Sequence, residues 1–212
     1  MKRAGQILAG VTILAMLTAV PARSQEIPIV EMAGGGSFAH TTDHGSQDAL
    51  GWYIMFGFRA WPHVRLLGDF GGQYQGSGIV FQGQRGRQDT YQLLWGPEFI
   101  SLRARAAPFA HALAGVAARH LTITSDTPGG VRDVLNIDYG AALAPGGGVE
   151  FRLARRFNFR PQVDYIATHL STIDPQFSPV QGQFAALPSE WRNNFRVSFS
   201  LGFNVGSRSS VH

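Results

Sequence analysis

The chain has 212 residues, 26 of them glycine and none cysteine, with 44% hydrophobic and 15% charged residues and a formal net charge of +4. The lack of cysteine excludes disulfides and thiolate metal sites, and so high a hydrophobic content excludes a disordered chain. Lys2, Arg3 and Arg23 belong to an N-terminal leader pattern; without them 15 basic residues face 14 acidic ones, scattered rather than striped, and nucleic acid is not expected as a partner.

Residues 1–24 carry Lys2 and Arg3, an apolar run from Ile7 to Val20, then Pro21-Ala22-Arg23-Ser24. This pattern predicts a secretory signal peptide cleaved after Ala22 or Ser24. The run is too short for a comfortable membrane helix, and no later stretch approaches one. If the exported protein enters a membrane, it must do so with strands.

Eight segments then alternate with the period of two that defines a β-strand. The first, from about Val30 to His40, sets Glu31, Ala33, Gly35 and Ser37 against Met32 and Phe38. The second, Leu50 to Ala60, sets Leu50, Trp52, Ile54, Phe56 and Phe58 against Tyr53, Met55, Gly57 and Arg59. After a tight turn through Pro62, the third sets Val64, Leu66, Phe70 and Tyr74 against Arg65, Leu67, Asp69 and Gln73. The fourth opposes Tyr91, Leu93, Trp95 and Phe99 to Gln92, Leu94 and Glu98, and its Pro97 predicts a bulge. The fifth, Pro108 to Leu121, opposes Ala110, Ala112, Ala114 and Val116 to Phe109, His111, Leu113 and Arg119. The sixth, Leu135 to Leu153, opposes Tyr139, Ala141, Leu143, Val149 and Phe151 to Asp138, Glu150 and Arg152. The seventh opposes Phe157, Phe159, Val163 and Tyr165 to Arg160, Gln162 and Asp164. The last is the clearest: Phe195, Val197, Phe199, Leu201, Phe203 and Val205 share one parity, and Asn194, Arg196, Ser198, Ser200, Gly202 and Asn204 the other.

Connections after the second, fourth and sixth segments are short, whereas 76–88, 124–134 and 170–190 are long and 41–48 is intermediate. That asymmetry matches the short periplasmic turns and long outer loops of outer-membrane barrels. Alternation alone leaves open a secreted, lipocalin-like barrel with Trp52, Phe56 and Phe199 around a ligand cavity. Volume favours the opposite sense, because an eight-stranded barrel has room inside for side chains and little more. The polar parity also balances its charge: Arg59, Arg65, Arg119, Arg152, Arg160 and Arg196 against Glu31, Asp69, Glu98, Asp138, Glu150 and Asp164. Confined ions need partners, so these twelve are expected to form an ionic network in the lumen. Trp52, Ile54, Phe56, Phe58, Phe195, Val197, Phe199, Leu201 and Phe203 are expected to face lipid.

Gly51-Trp52-Tyr53, Trp61-Pro62-His63-Val64-Arg65-Leu66-Leu67-Gly68-Asp69-Phe70 and Leu94-Trp95-Gly96-Pro97-Glu98-Phe99 resemble the outer membrane protein β-barrel domain family of OmpA/OmpX-like eight-stranded barrels. Residues 108–115, 146–152 and 160–165 extend the resemblance across most of the exported chain. It implies an antiparallel transmembrane barrel over 25–206 with a short tail at 207–212, insertion by the outer-membrane assembly machinery, and no cofactor. Family members usually end on an aromatic of the final strand, whereas here seven residues follow Val205.

Three chemical readings accompany the barrel. His169-Leu170-Ser171 has the H-x-S order of barrel lipid A deacylases, which would make Ser171 the nucleophile, His169 the base and Glu190 an orienter. A His and a Ser at the mouth of a loop is the plainer explanation. His40, Asp43 and His44 supply too few clustered ligands for a metal. Gly34-Gly35-Gly36 and Gly146-Gly147-Gly148 have no helix after them and mark close packing, not a phosphate loop. The sequence therefore predicts a monomeric outer-membrane protein of a Gram-negative envelope that is a structural, surface-interaction scaffold and not an enzyme. Its loops would take any surface ligand. A narrow pore for small solutes and a lipid A hydrolase are the alternatives.

Overall fold

The computed structural model describes residues 26–27, 29–41, 47–81, 84–101, 105–127, 130–173, 186–206 and 208–209. The leader at 1–24, its cleavage site, and Asp43 and His44 lie outside the described residues. The sheet begins with a short strand, β1 (Glu26–Ile27). Eight further strands close into an antiparallel barrel: β2 (Val30–Thr41), β3 (Gln47–Trp61), β4 (Val64–Phe81), β5 (Gln84–Ile100), β6 (Ala106–Thr127), β7 (Gly130–Arg152), β8 (Phe157–Ile173) and β9 (Ala186–Val205). Each pairs with its successor, and β9 returns to β2 from Val30↔Val205 to Thr41↔Asn194. Beyond the barrel, Gly206 bends the chain at a φ of 72°, a conformation that suits a residue without Cβ. β10 (Arg208–Ser209) then pairs with β1, so part of the 207–212 tail is held in a second small sheet.

Alternation sets the two faces. Leu50, Ile54, Phe56 and Phe58 of β3 point outward and are exposed, as are Phe195, Val197, Phe199 and Leu201 of β9. Trp52 and Phe203 share that outer face but are half-buried by neighbours on it. The Trp52 ring meets Phe70 edge-on at 5.4 Å and its Nε1 donates to Tyr74 Oη at 2.9 Å, while Phe203 lies 5.3 Å from Phe157. The lipocalin-like arrangement, with Trp52, Phe56 and Phe199 inside, is therefore overturned. A narrow interior also demands residues without side chains: a Cβ at Gly35 would strike the Phe199 carbonyl oxygen, and one at Gly140 that of His169.

Two expectations are corrected. The stretches 76–88 and 124–134 are not long loops, because β4 and β5 pair as far as Phe81↔Gln84, and β6 and β7 as far as Thr127↔Gly130. Past the point where one face must meet an apolar surround, both faces of a strand can be polar, so ladder pairing continues without the alternating signal. The expected loop 170–190 is likewise shortened, because β8 and β9 pair as far as Ile173↔Ala186, while within the described residues β7 pairs with β8 only between Ala141 and Arg152. No bulge occurs at Pro97: Trp95↔Ala114 and Glu98↔His111 keep one offset across it. Proline's missing N–H interrupts a ladder bond there without adding a residue, and the register shifts fall instead at Arg59/Trp61, Gln75/Ile79 and Ser171/Thr172. Tyr53, Met55, Leu67, Leu94 and Leu113 lie on the inward parity expected of them and are buried with Ile166 among small alanines.

Candidate functional site

The interior is organised in levels. Lowest, near the short turns at Pro62–His63 and 153–156, Arg65 of β4 reaches three carboxylates on three other strands. It pairs with Glu31 of β2, with Glu98 of β5 at 2.5 Å and with Glu150 of β7 at 2.8 Å. Arg160 of β8 also pairs with Glu98 and lies 4.0 Å from Glu150, its guanidinium carbon 3.7 Å from the centre of the Phe109 ring. Asn158 donates to Glu31 at 2.8 Å. Arg65, Arg160, Glu31, Glu98 and Asn158 are all at most 1% exposed. Such ions persist only because each meets several partners; a guanidinium has five donors in a fixed fork and can bridge strands that a lysine could not.

One level higher, Arg196 of β9 pairs with Asp69 of β4 at 2.5 Å and with Asp164 of β8 at 2.8 Å. Gln162 donates to Asp164 at 3.1 Å. His111 of β6 joins the two levels, with Nε2 2.9 Å from Asp164 and Nδ1 3.9 Å from Glu98. Eight of the twelve ions named from sequence therefore meet in two linked layers. The other four are placed differently. Arg119 pairs with Asp138 at 2.9 Å near the opposite end of the barrel. Arg59 donates to the Pro62 carbonyl at 2.7 Å, beside the lower turn. Arg152 is half-buried at the same rim and joins neither layer. The residue missed is His111; its inward parity was visible, but only the register shows that it stands between two acids.

Carbon side chains are interleaved with the ions, Leu67 standing between Arg65 and Asp69 on β4 and Leu94 pairing with Asp69, and beyond Ile166, the next inward residue after Asp164 on β8, a cavity opens towards the mouth. It is narrow, about 50 Å³, opens to solvent, and is lined by Gln73, Gln75, Gln88, Thr90, Gln92, Arg119, Thr168, Arg192 and Asn194, among others. The barrel is thus stoppered below and open as a cup above.

The catalytic and metal readings find no assembly. His169 packs against Trp191 with ring centres 5.0 Å apart and pairs with it across the ladder. Glu190 pairs instead with Leu170, a buried interior position, so it occupies the opposite face from His169 and cannot orient it. The Ser171 side chain lies outside the described residues. His40 Nδ1 sits 2.7 Å from Asp48 Oδ1, and no group of three metal-ligating side chains occurs among the described residues.

A closed eight-stranded antiparallel ring, apolar outside and ion-paired within, defines the class: the chain has the fold of the OmpA/OmpX-like eight-stranded outer-membrane barrels. Among solved structures it is similar to Neisserial surface protein A, with a TM-score of 0.59 over 83% of this chain and 97% of that one at 10% identity. It is similar too to Ail, the attachment invasion locus protein of Yersinia pestis, with a TM-score of 0.54 over the same shares at 14% identity. Ail in complex with the heparin analogue sucrose octasulfate gives 0.54 at 13% identity. At these identities the likeness establishes the fold. No protein-family model matches the chain, and no curated protein sequence does.

Proposed function

We propose that the protein is a monomeric, integral outer-membrane barrel that catalyses nothing and serves as a rigid frame for recognition at its outer end. One observation carries this reading: the faces are inverted relative to a soluble protein. Phe56, Phe58, Leu66, Trp95, Val116, Val163, Phe199 and Leu201 are all at least half exposed, while Arg65, Arg160 and Arg196 are fully buried. Water would not tolerate so continuous an apolar belt on a monomer, whereas hydrocarbon requires it. Aromatics flank the belt, with Trp61, Phe99 and Phe157 at the lower end and Tyr139, Tyr165 and Trp191 at the upper, in the manner of interfacial girdles. Lipid is then the permanent partner, and the assembly machinery a transient one.

The extended ends of β4–β7 and the strand ends Thr41, Gln47, Ile173 and Ala186 lie at the end away from the short turns, where a surface ligand would be met. A surface protein and an attachment invasion protein of the same fold support that assignment. The stoppered lumen speaks against the narrow-pore alternative. To test the reading, an epitope tag is inserted in 174–185 and probed on intact cells, and the purified chain is studied with and without detergent. Labelling of intact cells and a strict need for detergent are expected; a folded monomer in plain buffer would refute it.

A further inference from the structure

We propose that the cup above the ionic stopper is a binding site for a small sugar acid, a solute with one carboxylate and adjacent hydroxyls. The lining contains two guanidiniums, Arg119 and Arg192, from strands on different sides of the mouth, and no carboxylate. Arg119 is engaged by Asp138 at 2.9 Å, whereas no ion pair to Arg192 is found among the described residues. One positive charge at the mouth therefore stands available to an oxyanion, with a fork suited to holding a carboxylate.

The neutral lining decides which oxyanion. Gln92 is only 3% exposed, yet its Nε2 has no hydrogen-bond partner. Gln73, 8% exposed, donates through Nε2 to Ser37 Oγ at 3.1 Å and leaves its Oε1 without a partner. Asn194 Oδ1 is likewise unpartnered. Such groups line the same cavity as the arginines and present a donor together with acceptors. Inorganic sulfate could meet the guanidinium but has no hydrogen to donate to a carbonyl oxygen. A hydroxyl both donates and accepts, so a polyol satisfies both kinds of group. Ile166 and Leu170 supply an apolar patch for the carbon face of a ring.

This inference rests on the outer-membrane reading only for the side to which the cup opens; binding by detergent-solubilised protein does not depend on it. The test is titration of the folded, solubilised chain with glucuronate, glucose and sulfate, read by calorimetry. Glucuronate should bind with a dissociation constant of roughly millimolar, about tenfold more tightly than glucose or sulfate. R192Q should remove that preference over glucose, and Gln92→Leu should weaken glucuronate while leaving sulfate unchanged. Both variants are first checked for heat-modifiable gel mobility, and Arg192→Lys, which keeps the charge, should retain part of the preference. A glucuronate-terminated trisaccharide that binds as well as the free acid assigns the cup to glycan ends; one that is excluded assigns it to the free solute. Equal binding of all three probes, no binding of glucuronate by a folded chain, or an unchanged preference in R192Q overturns the proposal.

Discussion

Replacing Arg196 by methionine isolates what the middle ionic level contributes. The guanidinium is fully buried and touches Asp69 at 2.5 Å and Asp164 at 2.8 Å. After substitution Asp164 retains His111 at 2.9 Å and Gln162 at 3.1 Å, but Asp69 loses the cation that neutralises it. Breaking a buried pair from one side costs about 3–5 kcal/mol, because a charge is left behind in a medium that solvates it poorly. Arg196→Met should lose stability on that scale in urea unfolding from lipid vesicles, followed by tryptophan fluorescence and gel mobility. Adding Asp69→Asn should restore much of the loss by removing the stranded charge, so the double variant should be the more stable. A loss below about 1 kcal/mol for the single variant, the range of a solvent-exposed pair, would refute the reasoning.

Other outcomes are expected from the same geometry. Phe199→Arg, placing a cation on the outer face of β9, should cost about 2–4 kcal/mol in the same unfolding assay, and a neutral result would deny that this face meets hydrocarbon. Gly35→Val should destabilise by about 1–3 kcal/mol or abolish the heat-modifiable form, since its Cβ would meet the Phe199 backbone, and wild-type behaviour would show that the seam is looser than described. In planar bilayers the wild-type chain should give no steady conductance, while Arg65→Ala, which opens the lower level, should produce flickering events; a steady wild-type current would favour the pore. Ser171→Ala should leave the lipid A mass spectrum of expressing cells unchanged, and a shift would reinstate the hydrolase.

Which face each residue takes was legible, because the bilayer-type surround and the crowded interior select opposite chemistries at every second position. Phe195 to Val205 on β9 and Leu50 to Phe58 on β3 carry that message without a break. Partnership was not legible. Arg65 finds Glu31, Glu98 and Glu150 across four strands, and such meetings depend on strand stagger, which leaves no mark in the alternation. His111 was seen facing inward but not as the link between levels, for the same reason. Inward Leu67 and Leu94 were legible from parity alone: a ring this narrow excludes water, and at a dry level carbon is as acceptable as a paired ion. The extended ends of β4 to β7 were read as loops because outside an apolar surround the two faces of a strand need not differ.

The seam between β2 and β9 couples ring closure to charge. Glu31 rides on the first strand to enter the ring and Arg196 on the last, yet their counter-ions, Arg65 and Asp69, both sit on β4. A sheet that has curled but not yet joined its edges would leave Arg196 with only Asp164 of the adjacent strand, and Asp69 without its cation, facing a half-formed trough. Zipping the edges together is what silences them, so the final register acts as a latch: partly closed intermediates are penalised, and the finished ring resists being pried open from either side.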